Sequence, residues 1–571
     1  MNSMKSTCTS RRRPWVLLGL GVIFLSPLLS PAGCGGCEGQ GPLQYVQADA
    51  AAVLEIPSLH KAVVANLAFL NRVTKGPLAQ ALTRSRLSML KREFGLDLTD
   101  TKSFRSKGVD PKAGLVVSVD NEGMIALVMP VMDGPALDKY LRRQLTRHSS
   151  GAISFADQVK DGLKATLAKH QPSSARGSIA GWAFHHDHLI AVVTLMGKTS
   201  DDVLVKLKAL TKVKKSIKQN QTFMDARKAL TRFDVLAYID AKAVRRRVTA
   251  RSKALSRFAS RHRKKTLNDE LELQEGLLSY VEGLSFAWHA EHTRLELKAL
   301  LSVPKARHGV LREILSGEGD APPFARYISA KALLAGRVSV HPKQLFDHAI
   351  QLLPPRQKRD LYQAIDRWEQ RNNLNLNKDI LGAFAGRFAL ALFPPAMVAN
   401  QPSSRLFGLG LVAMAQVKDP KHAAKLLDRI ERFLVVNRHA VRTRSKGRRK
   451  IFHLSTAGEK TLTWSVVNNI FLVTTPEQFD GAVALMEEGG ASIRDHLSNP
   501  RAKRLLDSDR GQVLYQDLAK LSVMLKKVDL PLPLRLILTP AIDAFDTLED
   551  VTLGAEVAPQ GIRADLTLRT R

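Results

Sequence analysis

The sequence predicts an α+β protein built as two tandem copies of an antiparallel-sheet-plus-helices unit, and three observations carry that expectation. Short runs rich in Val, Leu and Ala have the length and partial alternation of strands: AGLVVSVD (113–120), IALVMPV (125–131), FALALF (388–393) and LGLVAMAQV (409–417). Single helical patterns stand between them, PALDKYLRRQL, DPKHAAKLLDRIERFL and TPEQFDGAVALMEEG, the last with Thr475 placed as N-cap and Pro476 at the first helical position. This order lacks the regular βαβ alternation of a doubly wound sheet and points to antiparallel sheets covered on one face. The third observation is internal repetition.

Five segments recur in the same order. LQYVQADAAAVLEIPSLHKAV (43–63) is echoed by ARYISAKALLAGRVSVHPKQLF (325–346), with Tyr45 matching Tyr327. Asp133 of MPVMDGPALDKYL matches Asp419 of AQVKDPKHAAKLL, and Trp182 of GWAFHHDHLIAVV matches Trp464 of TWSVVNNIFLVTT. DVLAYIDAKAV returns as GQVLYQDLAKL, and VEGLSFAWHAEHTRLELKALL aligns without gaps on LEDVTLGAEVAPQGIRADLTL. The offsets drift only from 286 to 267, so the expected copies are residues 43–305 and 324–571. Residues 306–323 join them and run into GEGDAPPF (317–324), whose glycine, acids and double proline suit an exposed linker.

The N-terminus has the pattern of an export signal. Lys5, Arg11, Arg12 and Arg13 precede the apolar run VLLGLGVIFLSPLL, and the small residues of SPAGC follow. That run is shorter than the roughly 20 residues of a membrane span. Ala32-Gly33-Cys34 resembles the end of a bacterial lipobox, with Pro31 where lipoboxes carry Leu; the resemblance implies cleavage after residue 33 and lipidation of Cys34. Residues 1–33 are then a signal peptide and 34–42 a flexible tether, and Gly35 after the cysteine implies the outer membrane. Cys8, Cys34 and Cys37 are the only cysteines, so neither a disulfide framework nor a thiolate metal site is open to residues 38–571.

The openings YVQADAAAVLEIPSL, VDPKAGLVVSV and MPVMDGPAL resemble an uncharacterised family of bacterial envelope proteins that begin with a strand–helix unit and contain this kind of duplication. The resemblance implies a periplasmic or outer-membrane setting and brings no functional residues with it.

Charge is the unusual bulk property: 86 Lys+Arg against 53 Asp+Glu, a net +33. Such an excess favours anionic partners. Between Lys242 and Lys265 there are eleven Lys/Arg and no acid, with Val244, Val248, Leu255, Phe258 and Ala259 at roughly helical spacing. Arg245, Arg246, Arg247, Arg251, Lys253, Arg257, Arg261, Arg263, Lys264 and Lys265 form the expected contact with anionic lipid or lipopolysaccharide. Nucleic acid is disfavoured because no aromatics interleave the cations for base stacking. A second basic cluster, RTRSKGRRK (442–450), reads as an exposed loop.

Chemistry-bearing motifs are scarce. In AFHHDHLIAV, His185, His186, Asp187 and His188 have metal-ligand character. The aligned second copy has Val467-Asn468-Asn469-Ile470, which makes His186-Asp187 a two-residue hairpin turn closed by His185 and His188. No metal is assigned; His185, Asp187 and His188 are the residues that would chelate one weakly. His289 and His292 of WHAEH align with Glu556 and Pro559 of the second copy and also read as a hairpin end, and H-E-x-x-H spacing is absent. No nucleophile elbow, phosphate loop or dinucleotide fingerprint occurs, so no catalytic residue and no cofactor are assigned. The expectation is a non-enzymatic, lipid-anchored envelope protein that binds anionic components. The competing one is a periplasmic carrier or enzyme for a lipid-like ligand, and a deep apolar pocket would favour it.

Overall fold

A computed structural model of the chain describes residues 41–571 apart from 74–83, 149–152, 171–178, 195–197, 259–270, 396–408, 437–438, 457–458, 508–510, 528–538, 540–541 and single positions at 86, 90, 94, 98, 272, 277, 448 and 498. The signal, Cys34, Cys37 and the tether as far as residue 40 lie outside the described residues. What is described is a mixed α+β protein in two compact units, one of residues up to 68 with 82–244 and 287–291, the other of 69–81, 245–286 and 292–571.

The first unit holds β1 (Ala52–Ile56), α1 (Leu59–Val73, its first part), β2 (Leu115–Val119), β3 (Ile125–Pro130), α2 (Gly134–His148), β4 (Ile153–Lys160), β5 (Leu163–His170), β6 (Ile179–His185), β7 (His188–Thr194), α3 (Ser200–Thr211) and β8 (Val235–Asp240). All pairings are antiparallel, in the spatial order β8-β1-β2-β3-β7-β6-β5-β4. The strands β2, β3, β6 and β7 are apolar on both faces because both are buried, while the end strand β4 is largely exposed. Leu137, Leu141 and Leu145 of α2, with Leu59, Ala62 and Val63, pack against Val117, Met129, Trp182 and Leu189. On the opposite face Val203, Leu204, Leu207 and Leu210 of α3 meet Ala126, Val128, Leu167 and Ile190. This corrects the expectation of sheets covered on one face. Alternation failed as a guide because a strand buried on both faces has no polar side to show.

Local chemistry fixes α3. Thr199 and Asp202 form a reciprocal capping box, and Gly181 in β6 leaves space for the helix. A β-carbon at Gly181 would lie 2.7 Å from Val203 Cγ1 and 2.8 Å from Leu167 Cδ2.

After α4 (Ala241–Phe258), β9 (Gly283–Glu291) and β10 (Arg294–Ser302), the second unit continues with β11 (Leu334–Ser339), β12 (Phe384–Phe393), β13 (Gly410–Val417), α5 (Pro420–Val436), β14 (Ala440–Lys446), β15 (Arg449–Thr456), β16 (Glu459–Val467), β17 (Ile470–Thr474), α6 (Pro476–Glu487), α7 (Pro500–Asp507), β18 (Gly511–Asp517), β19 (Leu548–Ala558) and β20 (Gly561–Thr570). Its antiparallel order is β10-β20-β19-β18-β11-β12-β13-β17-β16-β15-β14. One face packs under α6 and α7, where Phe479, Val483, Met486, Ala502 and Leu506 meet Ala389, Val412, Leu472 and Val513. On the other face, among the described residues, α5 covers the β15–β17 end, through Leu427 against Phe452 and Trp464.

Three local expectations differ from the structure. RTRSKGRRK is no loop: β14 and β15 pair from Ala440↔Ser455 to Lys446↔Arg449, and Gly447 takes the left-handed turn position at φ 61°. Thr475 and Pro476 do open α6, but the Thr475 hydroxyl makes no cap bond. It accepts from Leu411 N at 3.1 Å instead, tying the helix start to β13. The GEGDAPPF segment is exposed at 318–320 and is fastened to the second unit. Glu318 N donates to Ala385 O at 2.8 Å, the buried Arg387 donates to Glu318 O at 2.9 Å, and Gln416 donates to Asp320 O at 3.0 Å.

Candidate functional site: an apolar trough on the second sheet

The part of the second sheet that no described helix covers carries a trough of about 620 Å³. Because side chains alternate across a strand, one row of paired residues crosses six strands on this face: Leu553, Leu514, Gly336, Leu390, Ala413 and Val473. The neighbouring row brings Ala555 opposite Gln512, and Val338, Phe388, Ala415 and Phe471 in succession. Small residues (Gly336, Ala413, Ala415) make the floor and larger ones the walls. A bulge between Phe384 and Phe388 bends β12, with Gly386 at φ 81° where a β-carbon would meet Val340 O at 2.8 Å. Four walls remain wet for their size: Val338 is 44% exposed, Leu390 and Leu553 40%, and Leu514 38%.

The lining is poor in hydrogen-bonding groups. Gln512 is its one polar side chain, and each end of its amide is engaged: Ser339 N donates to Oε1 at 2.6 Å and Nε2 donates to Ser339 O at 2.5 Å. The strands of the floor are interior ones, so their backbone groups are consumed by the ladder. The opposite face of this sheet is polar toward β10 and β20. There Arg501 pairs with Asp565 at 2.5 Å, and Asn499 donates to the buried Asp550 at 3.1 Å.

The residues singled out from sequence sit elsewhere. His185 pairs with His188 across the β6–β7 turn, with His186 and Asp187 left-handed at φ 42° and 48°. Asn468 and Asn469 turn β16 into β17 at φ 46° and 63°. His188 is buried, its Nδ1 2.8 Å from His186 O, and its ring centroid lies 5.1 Å from that of Tyr45. Burial, then the neighbouring His186 and His188, pull the His185 imidazole below its ordinary range. Among the described residues no three His, Cys, Asp or Glu are grouped as metal ligands.

WHAEH departs further from its reading. Only His292 lies at the β9–β10 turn; His289 is buried and meets both carboxylate oxygens of Asp234, at 3.1 and 3.0 Å. Glu291 Oε1 lies 3.3 Å from the other ring nitrogen. Sequence comparison could not find this pair, since Asp234 is 55 positions upstream.

Of the cationic stretch, Arg245 through Arg257 fall on α4, while Arg261, Arg263, Lys264 and Lys265 lie outside the described residues. Arg245 is half-buried and donates to Leu278 O, and Arg246 and Arg247 are exposed. The side chains of Arg251, Lys253 and Arg257 are likewise outside what is described.

The trough was missed for a physical reason. Its residues alternate with core residues in strands that read as uniformly apolar, such as FALALF, and only the placement of helices decides which face stays open. A strand apolar on both faces in a sheet expected to be covered on one was the available signal.

Residues 347–568 match a family described as "Protein of unknown function (DUF3352)". No curated protein matches the chain. Among solved structures it is similar to crystal forms IV, III and I of TP0453, at 10%, 11% and 10% identity and a TM-score of 0.22 in each case. These cover 45%, 50% and 50% of this chain and 79%, 91% and 90% of theirs. No described helix is long and apolar enough to cross a membrane.

Proposed function

We infer that the chain is an exported cell-envelope protein, anchored by a lipid on Cys34, that binds rather than catalyses and holds an acyl chain in the trough of its second unit. The trough carries the reading. An occupant there finds about 620 Å³ lined by hydrocarbon and aromatic side chains, with the already engaged Gln512 amide as the one polar side chain. A peptide would bring polar backbone with little to satisfy it; a hydrocarbon has no such requirement and contributes about 0.8 kcal/mol per buried methylene. The volume lies within the range of small-ligand sites.

The body is read as two tandem copies, 43–305 and 324–571. The support is the recurring strand order, β8-β1-β2-β3-β7-β6-β5-β4 against β18-β11-β12-β13-β17-β16-β15-β14, together with two hairpins turned by left-handed pairs. One copy fills the face beside α2 with α1, and the other leaves that face open as the trough. The partners follow: a membrane through the anchor, and anionic lipid or lipopolysaccharide through exposed cations such as Arg246 and Arg247.

Native mass spectrometry of the purified full chain tests the ligand. A lipid mass that co-purifies and exchanges for an added fluorescent fatty acid supports the reading. No adduct and no probe binding would show that the trough is closed by another segment of the chain or has no ligand. Palmitate labelling tests the anchor: label must enter the wild type and be lost in Cys34→Ala.

A further inference from the structure

The last turn of α5 and the hairpin behind it combine two features that a soluble surface keeps apart. α5 buries Ala423, Leu426 and Leu427, with Ile430 and Leu434 continuing that stripe onto the core. Val435 and Val436 leave the stripe and stand 53% and 81% exposed. His439 N, one residue before β14 begins, donates to Leu434 O at 2.9 Å in the last turn of α5, one residue before the two valines. Arg442, Arg444 and Lys446 then fall on one face of β14, the first about 7 Å along the strand from Ala440. From Arg432 to Lys450 the sequence has eight Lys/Arg and no acid.

Nearby carboxylates neutralise part of this charge. Asp428 takes Lys450 at 3.0 Å, Glu487 takes Arg449, and Asp480 lies 3.9 Å from Lys446. Glu431 is occupied by the Thr443 hydroxyl. No described residue pairs with Arg442 or Arg444, and both are exposed. β14 is the end strand of its sheet. Cations alone would guard such an edge against self-association; exposed valines beside them defeat that purpose. Valine also offers no stacking surface for a base. Unpaired cations flanking an apolar tip are what an anionic bilayer surface recognises, the arginines meeting lipid phosphate and the valines entering the headgroup boundary.

We propose that the α5–β14 turn is a membrane-docking edge, with Val435 and Val436 as its apolar tip and Arg442 and Arg444 as its lipid-phosphate contacts. It stands independently of the trough. The test uses the full chain carrying Cys34→Ala, so that no acyl anchor contributes, with phosphatidylcholine vesicles with and without phosphatidylglycerol. The parent protein should prefer the anionic vesicles, and the preference should weaken with salt. Arg442→Glu with Arg444→Glu should lower affinity for anionic vesicles by at least about 30-fold, from the usual worth of two cations near such a surface. Val435→Asn with Val436→Asn should also weaken binding while leaving its salt dependence. Both variants should unfold at the parent's temperature and bind a fluorescent fatty acid as it does. Equal binding to both vesicle types, or an arginine variant that binds like the parent, overturns the proposal. So does a valine variant that binds like the parent, which would make the partner a soluble polyanion.

Discussion

His289 faces the Asp234 carboxylate with both oxygens near 3 Å from Nδ1, and the Asp234 side chain is completely buried. Asp234 also accepts from Ala290 N at 2.8 Å, so one carboxylate holds both the backbone and the ring of the β9 end. The hydrogen bond to Asp234 holds the imidazolium above its ordinary value of 6.5, against the opposing cost of burial. The folded protein therefore binds this proton more tightly than the unfolded chain does. The pair's contribution is complete below about pH 6.5 and is lost as pH rises through the raised value. Chemical denaturation across that window should show stability falling with pH, and His289→Gln should remove the slope. Asp234→Ala, which leaves the ring buried without its partner, should cost about 3 kcal/mol.

The trough should tolerate a charge structurally and lose its ligand. Leu514 is more than a third exposed, so Leu514→Lys should change stability by no more than about 0.5 kcal/mol. Placed beside Gly336 in the row that crosses six strands, the same ammonium should reduce fatty-acid probe binding by more than about tenfold, because it would be desolvated without a partner. Fluorescence titration beside a thermal melt reads both numbers.

Gly561 opens β20 at φ 143°, and a β-carbon there would run into Leu301 O and lie 3.0 Å from Val303 N. Backbone cannot yield as a side chain can. Gly561→Ala should cost more than about 3 kcal/mol, through strain at the turn and disruption of the β10–β20 ladder, and a urea midpoint measures it.

At the β6–β7 turn, His186 and Asp187 occupy left-handed positions that Asn and Gly fill with less strain. His186→Asn with Asp187→Gly should raise stability by up to about 1 kcal/mol. Zinc titrated into the wild type should give no micromolar binding heat; a micromolar Kd would make His185, Asp187 and His188 a metal site after all.

Element type was legible where one pattern had one meaning. FALALF and LGLVAMAQV are strands, PALDKYLRRQL and TPEQFDGAVALMEEG are helices, and Asn468-Asn469 announced a hairpin whose partner could be recognised as His186-Asp187. Reading failed where a residue's surroundings come from afar. RTRSKGRRK has a loop's composition, but β15 supplies the ladder that makes it a strand. Thr475 sits at a helix start, yet β13 claims its hydroxyl. The trough depends on which face each helix covers, and α1 and α6 do not announce that in their own residues.

The place of β20 has a consequence for how the protein is made. It is an interior strand, hydrogen-bonded to β19 on one side and along nine residues of the much earlier β10 on the other. The β10 contact spans roughly 260 residues, so it can form only after nearly everything between has been synthesised. Until residues 561–569 emerge, β10 and β19 each present an open edge that invites pairing with another chain. A polypeptide lacking residues 561–569 would keep almost every side chain of its cores and carry two adhesive margins. Loss of this one strand is expected to yield aggregate rather than a slightly altered fold.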